Sequence, residues 1–278
     1  MKKVLTIQDI SGVGKCSLTV ALPVLSAAGL ETCVLPTAVL SCHTGFQSFT
    51  FHDLTGEIPA IEDSWETEGF QFDAVYNGYL GSPEQVHLVE DIVSRFLKPG
   101  GIYVAAPAMA DHGKLYPGFD ADFPQAMQEL CTHADICIPN LTEACLITGT
   151  EYVEEGYDRK YIETLLMKLH EQGAAVPILT GVSFDPSYLG AMAYDSEQKS
   201  FVEYYTKKEP NAYHGTGDLF ASSVVGALVR GRKLPDAIRI ATEFTHASIV
   251  KTLQDPEPNW YGVNFEEAIP YFLRLLSD

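Results

Sequence analysis

Long apolar stretches and basic residues are what this sequence has least of. No uninterrupted apolar run reaches the roughly 18 residues that a bilayer-spanning helix needs, and the apolar start MKKVLTIQ is interrupted at Gln8 and Asp9, too early for a signal peptide. Lys and Arg number 18 against 37 Asp and Glu, a formal net charge of -19. Because a polyanion would meet repulsion over most of this surface, we expect no nucleic-acid or membrane role and a cytoplasmic location.

Paired cysteines and linkers are absent as well. The 6 cysteines form no C-x-x-C pair and no zinc-finger spacing with histidine, so most are expected to be reduced, buried and apolar in character. No Pro/Ser-rich or charged linker and no internal repeat divides the 278 residues, and 46% hydrophobic residues are enough for a sizeable core. We therefore predict one domain over residues 1–278.

Strand and helix patterns alternate along most of the chain. Ser82, Pro83 and Gly100 are typical of the start and the end of one of these helices. Strands separated by helices indicate a mainly parallel sheet with helices on both faces and ligands at the carboxyl ends of the strands. The predicted strands are 4–7, 32–35, 73–76, 102–105, 136–138 and 176–180, with a hairpin at 189–194 and 201–205; the predicted helices are 18–28, 82–98, 124–131, 159–172, 217–229, 235–251 and 265–276.

A glycine-rich turn, Ser11-Gly12-Val13-Gly14, follows the first strand. It is not a P-loop, which would need glycine at Asp9 and Ser or Thr at Cys16, and a dinucleotide fingerprint would need glycine at Ser17. Two interpretations stay open: a purely structural tight turn, or a turn that places Asp9 at a strand end where a substrate could lie.

The segment Gly215-Thr216-Gly217-Asp218 is the strongest local signal. Its glycines let backbone amides crowd around an anion, and the following helix directs its positive dipole end to the same point. Asp218 could complement that dipole as a capping residue. Alternatively, the amides hold a transferring phosphoryl group while Asp218 accepts the proton of an attacking hydroxyl.

Other polar residues follow predicted strands. Asn140 and Glu143 are spaced as a capping box, although at a strand end they could also hold Mg²⁺ through water. His43-Thr44 and Tyr79 lie in loops after strands, where packing or a satisfied hydrogen bond explains such residues as well as ligand contact does.

An ordered set of motifs covers nearly the whole chain, and it resembles the pyridoxal kinase branch of the ribokinase-like superfamily. The motifs are QDISGVGKCSLTVALPVLSAAG, LSCHTG, NGYLGS, APAMADHGKLY, PNLTEACLITG, LTG and GTGDLFAS. The resemblance implies a three-layer α/β/α fold with a central, mostly parallel sheet and a homodimer. It implies a transferase that uses ATP and Mg²⁺, with a possible monovalent cation, to phosphorylate the 5'-hydroxymethyl group of pyridoxal, pyridoxamine or pyridoxine in vitamin B6 salvage.

The same resemblance assigns site residues. Asp218 is the general base and Gly215, Thr216 and Gly217 form the anion hole. The vitamer ring faces Asp9, Thr44 and Tyr79. ATP is contacted by Asn140, Glu143, Thr180, Gly181 and Asp111, and Mg²⁺ is held by Glu143 and Asp111.

Two departures from the family pattern leave alternatives open. Asp9 stands where close pyridoxal kinases commonly carry serine, an arrangement also found in hydroxymethylpyrimidine kinases. Ala106 replaces the first carboxylate of the family's Asp-Pro-Val-Met-Gly-Asp stretch. The alternatives are a hydroxymethylpyrimidine kinase of thiamine synthesis and a catalytically weak vitamer-binding regulatory protein.

Overall fold

A nine-stranded sheet divides the molecule in the computed structural model, which describes residues 1–278. Its strands lie in the order β11-β10-β9-β8-β5-β4-β1-β2-β3. The eleven strands are β1 (Lys3–Ser11), β2 (Glu31–Leu40), β3 (Phe51–Asp53), β4 (Phe72–Asn77), β5 (Leu97–Ala105), β6 (Ala110–Asp111), β7 (Lys114–Leu115), β8 (Ile136–Cys137), β9 (Val176–Val182), β10 (Tyr188–Asp195) and β11 (Ser200–Lys207). From β9 to β2 the pairs are all parallel, whereas the pairs β2–β3, β9–β10 and β10–β11 at the two edges are antiparallel.

Helices cover both faces of the sheet. One core of 33 buried residues lies under α1, α7, α8 and α9, and a second core of 33 lies under α3, α4, α5 and α6. The helices are α1 (Leu18–Ala27), α2 (Ile58–Glu68), α3 (Pro83–Phe96), α4 (Phe123–Thr132), α5 (Leu141–Thr148), α6 (Arg159–Glu171), α7 (Thr216–Val229), α8 (Leu234–Gln254) and α9 (Phe265–Ser277). The predicted three-layer fold is confirmed. No helix combines the length and the apolarity needed to cross a bilayer.

The helix predicted for residues 82–98 begins as expected but ends early. The Ser82 hydroxyl accepts the amide of Gln85, and Pro83 occupies the first turn. The end of this prediction was wrong, because the helix stops at Phe96 and Leu97 already pairs with Phe72 in the sheet. Gly100 therefore lies within β5, with a φ of 76°, and not just past the helix.

Some elements carry no prediction from the sequence. They are α2, the edge strand β3, the short helix α5 and the small β6–β7 hairpin, which forms its own two-stranded sheet. The hairpin and α5 follow β5 and β8 directly, so both stand at the edge of the sheet where the parallel strands end. The hairpin and α5 therefore contribute to the edge of the sheet where ligands are expected.

Candidate active site

The start of α7 is shaped by one glycine. Gly215 precedes the helix with a φ of 76°, and a Cβ at this position would collide with the carbonyl oxygen of Lys15. Any other residue would strain the backbone and push the glycine-rich turn away. The structure thus packs the Gly12–Gly14 turn directly against the first turn of α7, where Thr216, Gly217 and Asp218 lie.

Asp218 is held by the beginning of α1. The backbone amide of Ser17 donates to Asp218 Oδ2 at 2.9 Å. Burial raises the pKa of Asp218 to about 6, the Ser17 amide opposes that rise, and the charge of Asp9 adds to it. A carboxylate with this pKa is ionised at neutral pH yet binds a proton more readily than an exposed aspartate, which suits a general base.

Cys16 and Ser17, between the glycine-rich turn and α1, lie close to the carboxylates of the site. Ser17 itself has a φ of 50°, which is unusual for a residue with a side chain. Burial, and then the charges of Asp218 and Asp9, raise the pKa of the Cys16 thiol, so this cysteine is a neutral neighbour of both carboxylates. The segment between the turn and α1 thus supplies the Ser17 amide to Asp218. The two interpretations of the turn itself, structural or substrate-placing, both stay open.

Lys15 does not act as a P-loop lysine would. Its Nζ donates to Glu266 Oε2 at 2.8 Å and to Asn264 Oδ1 at 3.3 Å. The lysine thereby ties the turn to the beginning of α9, and its charge is already partnered.

Asp9 lies near the end of β1, where the register with β2 shifts between Gln8 and Ile10. Such a bulge redirects a side chain out of the regular alternation. Asp9 is 5% exposed, accepts a hydrogen bond from the Ser11 hydroxyl at 3.3 Å, and has its pKa raised by burial. It lies close enough to Asp218 for the two charges to interact.

Tyr79 and Thr44 stand differently from Asp9. Burial, and then the charges of Asp9 and Asp53, raise the pKa of the half-buried Tyr79 to about 12. Thr44 is exposed, in the loop after β2, next to the buried His43.

Asn140 and Glu143 form a complete capping box at the start of α5. Asn140 Oδ1 accepts the Glu143 amide at 2.9 Å, and Glu143 Oε2 accepts the Asn140 amide at 2.8 Å. The two side chains also hold the segment before the hairpin: Glu143 Oε1 accepts the Met109 amide, and Asn140 Nδ2 donates to the Ala110 carbonyl. The structural interpretation of this pair is confirmed, and its position at the strand ends leaves a role with the nucleotide open.

Burial raises the pKa of Glu143 to about 8 despite its backbone amide donors. Asp111, the other expected metal ligand, is exposed. No group of three or more His, Cys, Asp or Glu side chains is arranged to hold a metal ion. Two carboxylates alone are a sparse ligand set for Mg²⁺, which binds in proteins mostly together with substrate phosphates and water.

Thr180 and Gly181 are brought to Asn140. The Thr180 amide donates to the Pro139 carbonyl at 3.0 Å, and Asn140 and Thr180 form a parallel bridge. Gly181 is exposed, with a φ of 74° and open space where a side chain would be. These residues, with Asp111, make one half of the site, and Asp9 and Asp218 make the other.

Tyr116 follows the β6–β7 hairpin and is 37% exposed. Partial burial raises the pKa of its hydroxyl most, and the charges of Glu143, Asp111 and Asp218 raise it further, so both halves of the site act on this residue. The sequence interpretation missed this residue, although it ends the quoted segment APAMADHGKLY.

The sequence interpretation also missed a cluster of aromatic rings, called here the aromatic lip. It consists of His43, Phe46, His214, Trp260 and Tyr261. The ring centroids of His43 and His214 are 4.9 Å apart, and those of Phe46 and Trp260 are 4.6 Å apart. Phe46 and Trp260 line a cleft of about 540 Å³. His214 immediately precedes Gly215, so the lip borders the expected anion hole.

His43 anchors this lip in its neutral form. Its Nδ1 accepts the Gly45 amide at 3.0 Å, which leaves the proton on Nε2 to donate to the Tyr261 carbonyl at 3.2 Å. Burial and then His214 lower its pKa. The HTG triplet at residues 43–45 and the WYG triplet at residues 260–262 were visible in the sequence as aromatic residues next to glycine. Only the fold brings residues 43 and 261 together.

Comparison with known proteins agrees with this geometry. The sequence profile of the phosphomethylpyrimidine kinase family matches residues 24–258. The chain belongs to this family. The protein is therefore an enzyme, a phosphotransferase acting on an alcohol group.

Solved structures show which members of the family this kinase resembles in fold and sequence. It shares 37% sequence identity and a TM-score of 0.92 with a candidate phosphomethylpyrimidine kinase from Bacteroides thetaiotaomicron in a crystal form with pyridoxal, over 98% of this chain and 95% of that one. The pyridoxal kinase of Lactobacillus plantarum is 30% identical with a TM-score of 0.90, over 99% of this chain and 98% of that one. The resemblance to pyridoxal kinases of the ribokinase-like superfamily is confirmed.

Another relative is a kinase of hydroxymethylpyrimidine, the alternative substrate. The hydroxymethylpyrimidine/phosphomethylpyrimidine kinase of Haemophilus influenzae is 26% identical over 254 residues, which is 90% of this chain and 91% of the relative. Both aromatic substrates thus occur among the relatives of the kinase.

Proposed function

We propose that the kinase transfers the γ-phosphoryl group of ATP to the 5'-hydroxymethyl oxygen of a B6 vitamer. The observation that carries this proposal is the half-buried Asp218 at the first turn of α7, held by the Ser17 amide beside Gly215 and influenced by the charge of Asp9. The likeness to the protein crystallised with pyridoxal and to the Lactobacillus pyridoxal kinase supports the choice of substrate.

The chemistry follows from the placement of these groups. The vitamer lies with its ring against Asp9 and Tyr79 and with Thr44 and the aromatic lip at the entrance. Asp218 takes the hydroxyl proton as the new O–P bond forms, the bond to the β-phosphate oxygen breaks, and ADP leaves. The amides of Gly215, Thr216 and Gly217 balance the charge on the transferring group, the main source of catalysis in phosphoryl transfer.

The nucleotide occupies the other half of the site in this proposal. Asn140, Thr180 and Gly181 approach its phosphates, and Glu143 and Asp111 are the residues that would hold Mg²⁺ beside them. When bound, the metal neutralises phosphate charge, which a protein of net charge -19 cannot do through its overall field. A monovalent cation and the homodimer stay predictions of the resemblance, and the cytoplasmic location stays a prediction from the sequence composition.

The second candidate is phosphorylation of hydroxymethylpyrimidine. It is favoured by the Haemophilus relative and by Asp9 itself, because a buried carboxylate can accept a hydrogen bond from either heteroaromatic ring. The two candidates differ only in the ring presented to the same base.

A substrate panel decides between them. The purified kinase is given ATP and Mg²⁺ with pyridoxal, pyridoxamine, pyridoxine or hydroxymethylpyrimidine, and phosphorylated product is measured by mass spectrometry. We expect the highest kcat/KM with a B6 vitamer. Preference for the pyrimidine would support the second candidate, and tight vitamer binding without product would support the regulatory protein.

The base is tested with Asp218→Asn, which should retain the fold and slow turnover by about 10² to 10⁴. Asp236→Asn is the matched control, since Asp236 lies in the first turn of α8, outside the site. Near-native turnover of Asp218→Asn would contradict the assignment of the base.

A further inference from the structure

The amide that holds Asp218 belongs to a residue in a strained backbone conformation. Ser17 donates this amide to Asp218 Oδ2 at 2.9 Å, and it does so with a φ of 50° and a ψ of -129°. A residue with a side chain keeps such a conformation only where its surroundings hold it in place. The chain next to Ser17 must therefore be fixed by other parts of the fold.

Lys15, two residues before Ser17, is held through its backbone and its side chain. Its carbonyl oxygen lies so near Gly215 that a Cβ on that glycine would collide with it, and its amide donates to the Tyr261 carbonyl at 3.4 Å. Its side chain packs along Gly262, where a Cβ would collide with Lys15 Cβ. Two glycines distant in sequence thus allow other segments to close on this one lysine.

The ammonium group of Lys15 reaches the beginning of α9. Nζ donates to Glu266 Oε2 at 2.8 Å and to Asn264 Oδ1 at 3.3 Å, and it lies 5.6 Å from the ring centroid of Phe265. The side chain of Lys15 is 18% exposed, whereas that of Glu266 is 53% exposed. Because an ion pair with an exposed partner is screened by water and weak by itself, Asn264 is the firmer of the two partners.

Asn264 is itself fixed in place. It is 7% exposed, its backbone amide donates to Thr252 Oγ1 at 2.8 Å, and its side-chain nitrogen donates to Asp255 Oδ2 at 2.9 Å. Thr252 lies in the last turn of α8, and Asp255 follows that helix directly. Lys15 therefore joins the segment before α1 to the corner where α8 ends and α9 begins.

We propose that Lys15 is a positioning residue that keeps the Ser17 amide on Asp218. It does so by anchoring the chain two residues before Ser17 to Asn264 and Glu266. The role differs from that of the lysine in a P-loop, which reaches the phosphates directly, because this ammonium group is directed to α9. The inference rests on the proposed function of Asp218 as the base.

Loss of the Lys15 bonds should change Asp218 in a defined direction. Burial raises the pKa of Asp218, the Ser17 amide lowers it by stabilising the ionised carboxylate, and the charge of Asp9 raises it. A loosened amide should therefore raise this pKa and slow turnover. The groups expected to contact ATP and the vitamer would stay where they are.

The titratable groups that interact with Asp218 come from four places. They are Asp9 from β1, Cys16 beside the glycine-rich turn, Tyr76 from β4 and Tyr116 after the β6–β7 hairpin. Asp9 is the carboxyl group among them, whereas burial raises the pKa of each of the other three and keeps them protonated near neutral pH. None of the four is altered by substitution of the lysine or its partners.

The test compares Lys15→Met with Glu266→Gln. The first removes a positive charge and the second a negative one, so a purely electrostatic effect would shift the pKa of Asp218 in opposite directions. A positioning effect would raise it in both proteins, because either substitution loosens the same segment. Glu267→Gln is the matched control, since Glu267 lies in the same helical turn and Lys15 binds its neighbour.

NMR titration of the Asp218 carboxyl should show its pKa rising by about one unit in Lys15→Met and about half a unit in Glu266→Gln, a roughly tenfold and threefold change in proton affinity. At neutral pH kcat should fall by about the same factors, as expected for a weakened bond to a charged group. KM for ATP and KM for pyridoxal should stay nearly unchanged, and the control should match the unaltered kinase. If Lys15→Met does not fold, Glu266→Gln decides the matter.

An unchanged or lowered Asp218 pKa in Glu266→Gln would overturn the positioning role. A higher KM for ATP with unchanged kcat in Lys15→Met would also overturn it, because the lysine would then contact the nucleotide. The NMR titration measures proton binding whether or not Asp218 is the base. Failure of the proposed function, seen as near-native turnover of Asp218→Asn, is therefore distinguishable from failure of this inference.

Discussion

Asp9 is the residue whose chemistry is most specific to the substrate. A buried carboxylate next to a heteroaromatic ring accepts a hydrogen bond from a protonated ring nitrogen, the arrangement known for the pyridinium of pyridoxal phosphate where it serves as a cofactor. The bulge in β1 redirects this side chain out of the regular alternation, and its charge acts on Tyr79.

We therefore expect Asp9→Ala to raise KM for the vitamer more than KM for ATP. Steady-state kinetics with each substrate varied in turn measures both constants. Asp53→Ala is the control, because Asp53 also acts on Tyr79 but is exposed. An equal rise in both constants for Asp9→Ala would assign Asp9 to the structure of the turn.

The two glycines before Asp218 should differ sharply in their tolerance of a methyl group. Gly215→Ala brings a Cβ against the Lys15 carbonyl in a left-handed conformation, whereas Gly217 has open space at that position and no positive φ. We expect Gly215→Ala to lower the free energy of unfolding by about 1 to 3 kcal/mol and Gly217→Ala to leave it nearly unchanged. Urea denaturation measures both, and equal stabilities would contradict the packing of the turn against α7.

At the scale of elements, the site is built where short structures begin at the ends of parallel strands. The capping box of α5 does two things: it satisfies the first amides of the helix and holds the segment that leads into the β6–β7 hairpin. Helix α3 also begins at an N-cap, Ser82. The Ser82 side chain caps its helix but does not hold a segment of the site.

Asn140→Ala and Ser82→Ala form a matched pair. Each should cost about 1 kcal/mol of stability, the usual effect of losing an N-cap. Only Asn140→Ala should also raise KM for ATP, because it releases the Ala110 carbonyl and with it the start of the β6–β7 hairpin. Thermal unfolding and ATP kinetics on both proteins provide the comparison, and an unchanged KM in Asn140→Ala would remove the nucleotide role.

For the whole molecule, burial of acidic groups in an already acidic protein sets the dependence of stability on pH. Burial raises the pKa of Asp218 to about 6, of Glu62 to about 7 and of Glu143 to about 8, from ordinary values of 3.8, 4.5 and 4.5. The folded state thus binds more protons than the unfolded state between about pH 4 and pH 8. Stability must fall as pH rises through this window.

We expect the melting temperature to be higher at pH 6 than at pH 8. Repulsion from the net charge of -19 acts in the same direction, but about 1 M salt screens surface charges beyond roughly 3 Å. Calorimetry at high salt therefore isolates the buried groups, and Asp218→Asn should show a smaller difference between the two pH values. A melting temperature that rose with pH at high salt would contradict the raised pKa values of these three carboxyl groups.

Much of the fold and part of the site could be predicted from the sequence, because they depend on local pattern. The alternation of apolar strands and helices determined the layered parallel sheet, the Ser82-Pro83 pair determined where α3 begins, and the spacing of Asn140 and Glu143 determined a capping box. The glycines around Asp218 indicated a crowded helix start, and the ordered motifs indicated the family.

Tertiary structure decided everything that depends on residues distant in sequence. The end of α3 was decided by the pairing of Leu97 with Phe72, not by the glycine that followed. The amide that holds Asp218 comes from Ser17, 201 positions earlier in the chain. The residues of the aromatic lip likewise become neighbours only when the strands assemble. Local propensity records what one segment prefers, whereas the electrostatics of a buried carboxylate depend on which distant groups packing brings against it.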